Sequence, residues 1–87
     1  MIETTIFSKI INGEIPCDKI HEDELCIAFN DISPQAPVHF LVIPKKAIIS
    51  LNDGKEEDKN LLGHLLLVGK NIAKSKNLKN WRTIINT

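Results

Sequence analysis

The 87-residue sequence predicts one α+β domain, an antiparallel meander preceded by a short helix and followed by one long helix. Three observations lead there. Leu25, Ile27 and Phe29 alternate with Cys26, Ala28 and Asn30, the period of a strand whose successive side chains face opposite ways. Val38 to Ile43 is a second apolar run, separated from the first by Ser33-Pro34-Gln35-Ala36-Pro37. Proline pre-sets φ and removes ladder donors, so that segment is a turn and the two strands pair antiparallel. Leu61, Leu65, Val68 and Ile72 then recur at helical spacing, with Leu62, Leu66 and Ala73 widening the stripe.

Taken in order, Thr4 or Thr5 can cap a short helix carrying Ile6, Phe7, Ile10 and Ile11, and Gly13 stops it. Ile15-Pro16 leads through Lys19-Ile20-His21 to an acidic turn at Glu22-Asp23-Glu24. The Leu25–Asn30 strand, the proline turn and the Val38–Ile43 strand follow, and Pro44 ends the second strand. Asn52-Asp53-Gly54 breaks the chain before a helix from about Lys55 to Lys76. Gly63 and Gly69 inside that helix each cost about 1 kcal/mol relative to alanine, and both either suit close packing against a sheet or second helix or are simply tolerated. Trp81 to Asn86 reads as one more strand, an apolar edge that invites association.

At this length only about 60% of the unfolded chain's surface is buried on folding, so a second copy helps a small core. Apolar residues make up 43% and charged residues 25%, an ordinary globular balance. Eleven basic and eleven acidic residues cancel, so no net field favours nucleic acid or an anionic membrane. No segment approaches the ~20 apolar residues of a spanning helix, and Glu3 interrupts the N-terminal segment, so a cytoplasmic protein is expected. Cys17 and Cys26 form neither a disulfide framework nor a zinc cluster and read as two buried or half-buried free thiols.

Asp31 and His39 are the candidate chemical groups. His39 is set into an otherwise apolar strand face with Leu41 and Ile43, a few residues after the aspartate that ends the preceding strand. Each has an ordinary structural reading by itself: a histidine in a strand, and an aspartate bonding the turn at Ser33. The ordered set Phe29, Asp31, Ile32, Pro34, His39, Leu41, Pro44 and Lys45 is more specific.

That set, with TIFSKIINGEIP (Thr5–Pro16), DISPQAPVHFLVIPKK (Asp31–Lys46), LLGHLLLVGK (Leu61–Lys70) and WRTIIN (Trp81–Asn86), resembles the histidine-triad (HIT) family. The resemblance is closest to its Hint branch, adenosine phosphoramidases also called protein kinase C inhibitor-like proteins, and spans roughly the first three quarters of the family domain. It implies a purine-nucleotide pocket for an AMP-like ligand and a homodimer. Asp31 matches the acidic residue that accepts hydrogen bonds from both ribose hydroxyls, while Phe7, Ile10, Ile15, Phe29, Ile32 and Leu41 match positions around the base. His39 matches the first, supporting histidine of the active site, and Asn86 an asparagine at the phosphate end.

In that family a glycine-rich turn and a strand bearing H-x-H-x-H follow the asparagine, and the middle histidine attacks phosphorus. The histidines here are His21, His39 and His64, too far apart for that motif, so the catalytic strand is missing from these residues. His64 reads as a helix-surface or packing residue and His21 as exposed. Losing such a nucleophile removes catalysis by factors on the order of 10⁴–10⁶. Many bacterial relatives carry a structural zinc held by a CxxC, a histidine after the proline-lysine and another histidine; the first three positions are Thr5, Ser8 and Ala47 here, so no metal is expected, and no cofactor either. Three readings follow: a nucleoside phosphoramidase or nucleotidyl hydrolase completed elsewhere, a weak nucleoside-binding module, or a dimeric structural remnant.

Overall fold

The computed structural model describes residues 6–14, 16–31, 37–46, 48 and 50–85, with side chains from residue 9 onward. The chain divides into two units, Met1–Ala47 and Ile48–Thr87.

The first unit opens with helix α1 (Ile6–Ile11). Gly13 stops it by turning left-handed at φ 79°, which lets Gly13 N–H bond Ile10 C=O at 3.1 Å and Glu14 N–H bond Lys9 C=O at 2.8 Å. This pair of bonds satisfies carbonyls that a helix end otherwise leaves open. Strands β1 (Lys19–Glu22), β2 (Cys26–Asn30) and β3 (Phe40–Pro44) follow as an antiparallel meander in the order β1-β2-β3.

The register places Ile27 opposite Ile43 and Phe29 opposite Leu41, joining two alternating patterns into one apolar strip. Ile10, Ile27 and Phe29 are buried there, with Ile11, Cys17, Leu41 and Ile43 packed against them. Fully burying a side chain such as Ile27 stabilises by about 1.5–3 kcal/mol. Cys26 and Ala28, on the opposite face of β2, are buried as well.

Two details differ from the expected strands. β3 starts at Phe40, leaving Val38 exposed, yet the ladder runs one step further through Asp31 N–H to His39 C=O at 3.0 Å. Pro44 stays within β3, opposite Cys26, because an edge strand tolerates a missing donor. Between β1 and β2 the register shifts: Lys19 opposes Phe29 but His21 opposes Ala28, so Ile20 is one residue extra.

In the second unit a 3₁₀ turn, Leu51–Asp53, closes through Gly54 N–H to Leu51 C=O at 3.0 Å. A Cβ on Gly54 would stand 3.4 Å from Leu62, so the turn lies against the helix that follows. Glu56–Asp58 is a second 3₁₀ turn, leading into helix α2 (Lys59–Ser75). Buried Asp58 ties this entry reciprocally, its carboxylate accepting Lys55 N–H and its own N–H bonding Lys55 C=O, both at 2.9 Å.

Asn77 adopts φ 61° at the far end, with Asn77 N–H to Lys74 C=O at 2.9 Å and Leu78 N–H to Ala73 C=O at 3.1 Å. It repeats the α1 stop with asparagine in place of glycine. Val68, Ile72 and Ala73 are buried, whereas Leu66 and Leu67 are exposed, so the buried stripe is narrower than the apolar pattern. Gly63 has nothing among the described residues within 4 Å of its would-be Cβ, which favours plain tolerance over close packing there.

Residues 81–85, expected as a strand, carry no ladder among the described residues. A strand exists through its hydrogen-bonded partner, and apolar alternation supplies none. No helix among the described residues is long and apolar enough to cross a membrane.

Candidate functional site

The β2–β3 pair builds the candidate site. Because side chains alternate, Ile27, Phe29 and Asp31 share one face, and opposite them stand Ile43, Leu41 and His39. Two rungs of this strip are apolar. The third pairs Asp31 with His39, where Nδ1 lies 3.5 Å from Oδ2. The histidine side chain is 29% exposed and the aspartate 21%, so both remain reachable while partly withdrawn from water. A carboxylate opposite Nδ1 favours the tautomer carrying its proton there, which leaves Nε2 as the acceptor.

The structure therefore brings together Ile10, Phe29 and Leu41 as one cluster, with Asp31 and His39 at the polar end of the same strip. Phe29 is 4% exposed and Ile10 is also buried. In this conformation they offer a ligand a floor rather than a full ring face. Ile15, Ile32, Asn86 and the side chain of Phe7 lie outside the described residues, as do Thr5, Ala47 and the side chain of Ser8. Threonine, serine and alanine are in any case not zinc-binding residue types.

Polar organisation at the neighbouring hairpin was less legible in the sequence. Asp23 closes the β1–β2 turn through Oδ1, which accepts Leu25 N–H at 2.7 Å and Cys26 N–H at 2.9 Å. Its Oδ2 meets His21 Nε2 at 2.7 Å and the Cys26 thiol at 3.6 Å. His21, expected exposed, is thus half-buried and held. Burial first, and the Asp23 carboxylate second, push the Cys26 thiol up to about 11.

Glu22 receives Lys19 Nζ at 2.7 Å and Lys45 Nζ at 2.8 Å. Those two hydrogen bonds, Lys19's first, hold its carboxyl down to about 2. An aspartate two and three residues before the amides it caps is the one signal that foreshadowed the turn. The Lys45–Glu22 pair joins residues far apart in sequence and had no signal.

Comparison with known proteins places these residues among relatives. A family described as "Scavenger mRNA decapping enzyme C-term binding" matches residues 4–87. A HIT-like protein of Synechococcus elongatus is 56% identical over 88 residues, covering 100% of this chain and 77% of that protein. The purine nucleoside phosphoramidase of Escherichia coli K12 is 46% identical over 89 residues, covering 100% of this chain and 75% of that protein. Among solved structures, a HIT family hydrolase from Clostridium thermocellum superposes with a TM-score of 0.93 at 35% identity, over 100% of this chain and 77% of that one. A histidine triad protein from Clostridium difficile gives 0.89 at 42% identity, over 98% of this chain and 76% of that one.

Proposed function

Because the chain belongs to the histidine-triad family, we propose that its Met1–Ala47 unit carries the nucleoside-recognition part of a purine-nucleotide site. The observation that carries this reading is the Asp31–His39 pair, closing a strip whose other rungs are apolar. Asp31 holds the ribose, since an ionised carboxylate can accept from two hydroxyls at once. The cluster of Ile10, Phe29 and Leu41 floors the base, joined in this reading by Phe7, Ile15 and Ile32. His39 supports the phosphate end, the end to which the resemblance also assigns Asn86, a residue outside those described.

The reaction class is hydrolysis of a nucleoside phosphoramidate or nucleotidyl compound through a histidine nucleophile, consistent with the name of the E. coli relative. His39 is the supporting histidine of that chemistry, and no H-x-H occurs within the 87 residues. Purified 87-residue protein is therefore expected to bind purine nucleosides without turnover. Protein-detected NMR titration should show adenosine and AMP binding about equally weakly, at the residues around Asp31. An adenosine phosphoramidate should be hydrolysed no faster than by His39→Ala. AMP binding far more tightly than adenosine would overturn the site assignment, and a rate abolished by His39→Ala would overturn the inactivity.

Exposed Leu66, Leu67, Trp81, Ile84 and Ile85 favour a second reading of the same chain as a homodimer, because a second copy would take these large apolar side chains out of water. Sedimentation should find a dimer at micromolar concentration; a monomer there would exclude it.

A further inference from the structure

We propose that His21, Asp23 and Cys26, at the β1–β2 hairpin, form a binding site for a thiophilic divalent cation of the Zn(II) class. Their nitrogen, oxygen and sulfur donors all lie within 4.8 Å of one another. Asp23 Oδ2 is central, 2.7 Å from His21 Nε2 and 3.6 Å from Cys26 Sγ. Around a tetrahedral ion with bonds of about 2.0–2.3 Å, donors stand about 3.3–3.6 Å apart. An ion therefore enters if His21 and Asp23 part by less than about 1 Å; the cysteine already stands at its distance from Asp23, and its separation from the histidine, within 4.8 Å, adjusts by up to about 1.5 Å.

Two backbone features create this set. The extra residue Ile20 brings His21 opposite Ala28, on the face that also carries Cys26. In unbroken register His21 would oppose Ile27 and point to the other side of the sheet. The second feature is the turn itself, where Asp23 Oδ1 is held by two backbone amides, so the carboxylate is aimed before any ion arrives. Outer support of this kind orients ligands in metal sites.

Charge and access agree with a soft dication. On binding, the Cys26 S–H bond breaks, the sulfur–metal bond forms, and the proton leaves to water. One thiolate and one carboxylate then neutralise the ion beside neutral His21, which suits a cysteine with no exposed surface. Entry is from the His21 and Asp23 side, where the side chains are 37% and 28% exposed. Lys45, near enough to act electrostatically on Cys26, has its charge paired with Glu22 at 2.8 Å. Water completes the fourth position. None of the three residues stands at Thr5, Ser8 or Ala47, the positions that match three of the family's zinc ligands.

Equilibrium dialysis of the full 87-residue chain against Zn(II), and optical titration with Co(II), test the assignment. One Zn(II) per chain is expected. Co(II) should give the visible bands of a tetrahedral centre and a thiolate-to-metal charge-transfer band. His21→Gln, at a half-exposed position, should weaken Zn(II) by at least about tenfold. Cys26→Ser should remove the charge-transfer band, and Cys17→Ser should keep it. Failure to bind stoichiometrically, or unchanged Zn(II) affinity in His21→Gln, overturns the site. So does a charge-transfer band that follows Cys17 instead of Cys26. If Cys26→Ser does not fold, His21→Gln and Cys17→Ser decide.

Discussion

Replacing Asp31 by asparagine isolates the proposed ribose contact. The side chain keeps its shape and one acceptor oxygen, so the ladder bond from Asp31 N–H to His39 C=O should persist. What disappears is the charge and the second acceptor, on a carboxylate that is only 21% exposed and therefore poorly screened. A hydrogen bond to a charged group is worth about 1.5–3 kcal/mol. Loss of one such bond predicts adenosine binding about 10- to 150-fold more weakly, at about 1.4 kcal/mol per decade.

The assay is NMR titration of wild type and Asp31→Asn with adenosine and with 2′,3′-dideoxyadenosine, a two-by-two cycle. The dideoxy compound lacks both hydroxyls, so the substitution should leave its affinity unchanged, and wild type should bind it at least as weakly as the variant, which keeps one acceptor, binds adenosine. Equal losses for both ligands would show that Asp31 shapes the strip rather than holding ribose. No loss for either would refute the contact.

Gly63→Ala should raise stability by about 0.5–1 kcal/mol, because α2 gains a helix former and the new methyl meets nothing within 4 Å; the melting midpoint reads this as a rise of about 4–8 °C per kcal/mol, and a fall would reveal a contact at that position. Gly13→Ala should destabilise by about 1–2 kcal/mol in denaturant titration, since φ 79° disfavours a Cβ although the space is open, while Asn77→Gly should be neutral or stabilising at its φ of 61°. Glu22 sets an acid-side dependence: its folded carboxyl lies near 2 against an ordinary 4.5, so its contribution is present above about pH 4.5 and is lost as pH falls towards 2. Comparing the unfolding of wild type and Glu22→Gln across that window checks the sign, and the difference should shrink in high salt because the pair is exposed.

Local signals in the sequence determined the elements. The alternation at 25–30, the helical spacing at 61–72 and the stop at Gly13 each express a preference of a few neighbouring residues, and each has its counterpart in β2, α2 and the α1 terminus. The aspartate–histidine pair was legible for the same reason, since antiparallel pairing sets the residue just after one strand beside the residue just before the next. Tertiary structure decided what depends on register and partners. The shift at Ile20 turned His21 towards Cys26 and Asp23, and no residue type announces a bulge. Lys45 found Glu22 through strand order. Leu66 matched the apolar pattern of α2 yet is exposed, and residues 81–85 matched a strand yet carry no ladder among the described residues. Burial and hydrogen-bonded pairing are properties of a neighbour as much as of the residue, and a one-dimensional pattern names only the residue.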